Sequence, residues 1–209
     1  MSEGNLTMAG HGASLSEGSP FSIPTKKLVM WLFIISDAAT FAAVLFAYGF
    51  LRNATPGWPA PFKFFPSIIS VIVMTFILIT SSLTMLTSVR AAKAGDNSKA
   101  FLWILITAAG GLIFALLHIH EWLGLIDQGA RLFQNPWGSG LFGAAFFSIT
   151  GLHLLHVSAG VVALVVVGLR YRRGRYNSDD IDLLGLYWHF VDIVWMFVVP
   201  LVYLLSIAR

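Results

Sequence analysis

The sequence contains no cysteine. That excludes disulfides, Cys-ligated zinc, iron–sulfur clusters, c-type haem attachment and thiol catalysis by this chain. Any metal it bound would have to sit on its six histidines and its carboxylates. Charge is scarce as well. Asp, Glu, Lys and Arg make up 11% of the 209 residues, against about 25% in an average soluble domain. So few charges cannot coat a soluble globule of this length. The composition therefore excludes an ordinary soluble domain, a disordered chain and a nucleic-acid binder. The net charge of +3 does not change this, because the position of the basic residues decides what they meet. What is abundant is apolar: 57% of residues are hydrophobic and the mean hydropathy is +0.79.

Residues 1–27 are polar, rich in Gly and Ser, and read as a mobile N-terminal tail. They lack the apolar stretch of a signal peptide. Five long apolar runs follow, at 28–51, 67–89, 100–122, 141–169 and 183–208. Each exceeds the roughly 20 residues with which a helix crosses about 30 Å of hydrocarbon. Lipid offers the backbone no hydrogen bonds, so each run should be a helix. The runs are continuous, unlike the alternating strands of a membrane β-barrel. The expected fold is all-α, with five transmembrane helices in one domain over residues 28–209. Pro200 should loosen the last helix. The connectors are short. Trp31, Tyr48, Trp103, Trp122, Tyr171 and Tyr203, near run ends, read as aromatic belts.

Orientation follows from the basic residues. Five spans place the tail and the second and fourth connectors on one side. That side holds nine of the thirteen: Lys26, Lys27, Arg90, Lys93, Lys99, Arg170, Arg172, Arg173 and Arg175. The positive-inside rule then puts the N-terminus in the cytoplasm and the C-terminus outside.

A charged side chain within a span costs at least about 2.5–3.5 kcal/mol on insertion scales, so each needs a reason. The polar set is Asp37, His118, His120, Glu121, His153, His156, His189 and Asp192. His118 with Glu121, His153 with His156, and His189 with Asp192 are spaced i,i+3, so each pair shares a helix face. One reading is a metal or haem site. The plainer reading is hydrogen-bonded structural groups, since buried polar groups are normally paired. Measured from the run ends, His118 and Glu121 lie about 27–32 Å from the inner end of their helix, near the outer surface. Asp37, His153, His156, His189 and Asp192 fall in the inner half and could share one polar layer. Asp37 reads either as a neutral acid in an interhelical hydrogen bond or as a group that handles protons or meets a lipid headgroup. Glu121 reads as a solvated or Arg-paired helix end. Trp188 and Trp195, around His189, read as packing. Gly140, Ala144, Ser148 and Gly151 suggest close helix contact along the fourth span.

Several segments together resemble one family. Tyr187-Trp188-His189-Phe190-Val191-Asp192-Ile193-Val194-Trp195, followed by Val202-Tyr203-Leu204, is similar to the closing signature of haem–copper oxidase subunit III. Thr150-Gly151-Leu152-His153-Leu154-Leu155-His156-Val157 resembles that family's Thr-Gly-x-His-x-x-His-Val motif. Ser36-Asp37, with Phe41 and Tyr48 after it, resembles its Ser-acid helix, and Glu121-Trp122 matches a further helix. The resemblance covers all five spans and fits the five-helix bacterial form.

The resemblance implies a V-shaped bundle in the bacterial inner membrane that holds phospholipid in its cleft. It implies a main contact with oxidase subunit I, further contacts with subunits II and IV, and association with a quinol–cytochrome c oxidoreductase. Haems and copper would sit in subunits I and II, with no catalytic residue, metal or other cofactor on this chain. The implied role is to support proton uptake, stability and lipid retention in a proton-pumping oxidase, fed by cytochrome c rather than quinol. Asp37, Glu121, His153 and His156 would be the proton- or lipid-associated residues, and His189 with Asp192 a structural polar pair. Asp37 stands where many members carry a carbodiimide-reactive Glu. Alternatives are an accessory protein of nitric oxide reductase with the same fold, or a stand-alone di-iron or b-haem membrane protein.

Overall fold

A computed structural model describes residues 24–207. The described chain is helical: α1 Thr25–Ala54, α2 Ile69–Lys93, α3 Asn97–Asp127, α4 Gly140–Arg172 and α5 Ser178–Val198. All five helices are long and apolar enough to cross a membrane, and the chain is a multi-pass membrane protein. Most of the expected tail lies outside the described residues. Its last residues, Thr25, Lys26 and Lys27, are not tail but the first turn of α1. There Lys26 pairs with Asp180 at 2.9 Å and Lys27 with Asp182 at 3.4 Å.

The helices outrun the apolar stretches because polar residues at the interface cap them. Asp96 accepts from the backbone N–H of Lys99 at 3.0 Å at the start of α3. That bond, with the Lys99 ammonium, holds the Asp96 carboxyl below its usual range. Ser139 caps α4, and Asn177 with Asp180 forms a reciprocal capping box on α5. Between α2 and α3 the chain reverses at Gly95, whose φ of +78° suits a residue without Cβ. Around Pro200, which has no N–H to give, α5 widens into a π-type turn over Val199–Tyr203 and tightens again over Leu204–Ser206.

Helices α2, α3, α4 and α5 pack in sequence, and α5 closes back on α2 to complete a four-helix ring. Trp188 of α5 sits inside this ring, 1% exposed. Its indole N–H donates to the Ser81 hydroxyl of α2 at 3.0 Å. Its ring lies on bare backbone at Gly111 of α3 and Gly160 of α4. A methyl group added at Gly160 would come within 2.9 Å of the indole, and one at Gly111 would collide with it. One side chain thus touches all three other helices of the ring. The stripe from Gly140 to Gly151 contributes less than its composition suggests, since Ser148 is exposed and Gly151 alone of the four faces a Trp, Trp122.

Helix α1 stands outside the ring, against α4 and α5. Its buried residues, Ile34, Phe41 and Tyr48, recur every seven positions. That spacing draws a single narrow seam along the helix. Helices α1 and α5 run parallel, joined at one end by Lys26–Asp180 and at the other by the Tyr48 and Ser206 hydroxyls at 2.7 Å.

The tight seat of Trp188 generates a prediction. Gly111→Ala and Gly160→Ala should each cost about 1–3 kcal/mol of stability by overpacking. Gly124, which has nothing within 4 Å of an added methyl, should tolerate Ala to within about 0.5 kcal/mol. Thermal unfolding in mild detergent compares the three.

Candidate functional site

The α1 seam carries an acid to a histidine. Asp37 Oδ2 lies 3.1 Å from His156 Nε2 on α4. The other ring nitrogen, Nδ1, lies 2.8 Å from the Leu152 carbonyl oxygen. A carbonyl can only accept, so Nδ1 carries a hydrogen and donates. A proton must then also lie between Nε2 and the carboxyl, since otherwise two acceptors would face each other. The pair holds that proton on the ring as an ion pair or on the acid as a neutral pair. The side chains of Asp37 and His156 are 18% and 16% exposed, so the proton is close to the protein surface. Phe41 covers the pair edge-on, 5.3 Å between ring centroids. Tyr187 of α5 donates to the His156 carbonyl at 2.9 Å, so three helices meet here.

His153, one turn before His156, is fully buried in an aromatic cage. Trp195 stacks on it at 5.0 Å and Phe114 meets it edge-on at 5.7 Å. The same two rings contact His118, at 5.5 and 5.7 Å. His118 therefore lies near His153, and the expected separation of the α3 pair from the inner layer is corrected. The depths were measured from run ends, whereas α3 continues to Asp127, which sets His118 about 14 Å inside that end. Glu121 is corrected too. It is not solvated or Arg-paired: its side chain is 9% exposed, and Oε2 accepts from the Tyr203 hydroxyl at 3.1 Å. His118 Nδ1 is 3.7 Å from the same oxygen. Beside it, Trp122 donates to Thr150 at 3.2 Å.

His189 and Asp192 leave this layer and face α2. Among the described residues no ion pair joins them. His189 Nδ1 meets the Ser82 hydroxyl at 3.1 Å. His120 is exposed. Among the described residues, no three His, Asp or Glu side chains converge as a metal-binding set. On the other side of the seam, α1 and α5 enclose a groove of about 740 Å3. Its walls include Phe41, Phe46, Phe50, Phe190 and Phe197, so it is suited to acyl chains.

The description "Cytochrome c oxidase subunit III" matches residues 19–207 of this chain. The chain belongs to the cytochrome c oxidase subunit III family. Among its relatives, cytochrome c oxidase subunit 3 of Alkalihalophilus pseudofirmus is 31% identical over 186 residues, 88% of each chain. That of Bacillus sp. PS3 is 30% identical, covering 99% of this chain and 98% of its own. The cytochrome bo(3) ubiquinol oxidase subunit 3 of Pseudomonas aeruginosa is 35% identical, over 84% of this chain and 83% of its own. Five spans and bacterial relatives make this subunit III a multi-pass protein of the bacterial plasma membrane.

Several residues of this subunit III were not legible as site residues. Tyr48 and Tyr203 are buried, not belt residues, because each hydroxyl finds an interior partner, Ser206 and Glu121, whereas the Tyr171 hydroxyl donates to Asn97, exposed at the start of α3, and so stays at the interface. Tyr48 and Tyr203 stood in segments that resemble the family, but nothing in those segments named the partner of either hydroxyl. Ser81 and Ser82 gave no signal among the other hydroxyls of α2.

The Tyr203–Glu121 contact can be tested directly. Tyr203→Phe leaves a buried carboxyl with no donor and should cost about 1–3 kcal/mol. Glu121→Gln, which still accepts, should cost less. Both are read as thermal midpoints and as subunit retention in mild detergent.

Proposed function

We propose that this subunit III of a bacterial terminal oxidase is a non-catalytic partner in a proton-pumping complex. Oxygen is reduced there on haem and copper held by subunits I and II. The chain lies with its N-terminus in the cytoplasm, packs chiefly against subunit I, and meets subunits II and IV. The Asp37–His156 contact carries the reading. It places a carboxyl–imidazole pair, holding one exchangeable proton, close to the surface of α1 and α4. There it takes up and returns protons beside the proton entry of subunit I. The groove between α1 and α5 retains phospholipid, which keeps the seam closed. Cytochrome c is the electron donor in this reading. The relative from Pseudomonas aeruginosa, a ubiquinol oxidase subunit, favours quinol as the second reading. A copurifying subunit II with a dicopper centre decides for cytochrome c, and one without it for quinol.

Asp37→Asn tests the proton role in the assembled oxidase. The amide can still donate to His156 Nε2, so subunit content and initial rate should match the parent, while activity should fade faster during sustained turnover at high pH. Decay at the parent rate overturns the role.

A further inference from the structure

A second groove opens at the Arg-rich end of α4, made by α3 and α4 and by neither α1 nor α5. Its volume is about 500 Å3, and Asn97, Ser98, Phe101, Leu102, Leu105 and Arg172 line it. Gly168 of α4 makes it possible. A methyl added there would meet Ile104 at 3.0 Å and Phe101 at 3.6 Å, so the bare backbone lets the two helices close on the Phe101 ring. Arg172, one turn beyond Gly168, lays its guanidinium over that ring, 4.9 Å from the centroid. The ring fixes a cation that a long side chain would otherwise carry through many rotamers.

That cation is available to an anion. Among the described residues no carboxylate lies within ion-pair distance of Arg172. The acid nearest in sequence to the groove, Asp96, is engaged by Lys99, ammonium to carboxylate at 3.0 Å. Asn97 accepts from the Tyr171 hydroxyl through Oδ1 at 2.6 Å, which leaves its amide hydrogens to donate. Away from this polar rim, Leu102 and Leu105 are 54% and 38% exposed and continue the groove along α3. The groove is thus cationic and donating at the interface and apolar toward the bilayer. A phospholipid presents phosphate and acyl chain in that order. Arg170, Arg173 and Arg175 add positive charge at the same helix end, where anionic lipid concentrates against basic segments.

We propose that this groove binds one anionic phospholipid. Its phosphate sits on the Arg172 guanidinium and the Asn97 amide, and one acyl chain lies along Phe101, Leu102 and Leu105. The site is separate from the α1–α5 groove and does not rest on the proton role of Asp37.

The test uses the purified oxidase that contains this chain, in nanodiscs of phosphatidylcholine with a minor fraction of phosphatidylglycerol. Native mass spectrometry then counts retained lipid. Arg172→Gln should lose one phosphatidylglycerol per complex. Leu105→Trp, which fills the apolar end and leaves the charges intact, should lose the same molecule. Unchanged subunit content shows that either variant is folded, and if Arg172→Gln fails to assemble, Leu105→Trp decides alone. Parent-level retention in an assembled variant overturns the proposal, as does equal retention of phosphatidylcholine. Displacement of the bound lipid by inorganic phosphate also overturns it, reassigning the site to a free anion.

Discussion

The fold depends on the seat of Trp188. In lipid, apolar side chains gain nothing by leaving the solvent, so helices are held by close contact and by polar bonds made inside. Trp188 supplies both at one point. Its indole rests on the backbone of two glycines from different helices and gives its N–H to a serine of a third. Removing any one of Gly111, Gly160 or Ser81 as a partner leaves the others holding a side chain that no longer fits. Trp188 is therefore the point at which all four helices of the ring meet within their shared apolar core. The same logic recurs two turns later, where Trp195 gives its N–H to Thr75 of α2 at 3.0 Å while its ring covers His153.

Around that ring the polar residues sort by what each can find. Asp37 finds His156 across two helices, Glu121 finds Tyr203, and His189 finds Ser82. Each bond ties a different pair of helices: α1 to α4, α3 to the end of α5, and α2 to α5. Asp37 with His156 and His189 with Ser82 are partly exposed on both sides, and of the three contacts the first alone joins a carboxyl to an imidazole within hydrogen-bond distance. The subunit is thus tied together by polar contacts between different helices.

The number and type of helices were legible because lipid allows so few solutions: a continuous apolar run that long has to be a helix. The break at Pro200 was legible for a similarly local reason. Asp37, Glu121, His153 and His156 stood out because charge is rare in a span. Their partners did not. A tyrosine at a run end looks the same whether it anchors at the interface, as expected for Tyr203, or turns inward to Glu121. Depth failed for His118 because α3 extends past its apolar run to Asp127, so that His118 is no longer close to the outer end of its helix. Which hydroxyl of α2 meets which ring of α5 is set by rotation of the helices about their axes, and a single sequence does not carry that information.

The narrow seam of α1 has a consequence for the order of assembly. Among the described spans α1 comes first along the chain, and its partners, α4 and α5, come last. Asp37 meets a residue 119 positions later, and Tyr48 meets one 158 positions later. Contacts so distant along the chain form only after everything between them is in place. The Asp37 carboxyl therefore waits in the bilayer for the imidazole of α4, three spans later, and the Tyr48 hydroxyl for the chain beyond α5, four spans later. The described fold is completed when its last span closes onto its first.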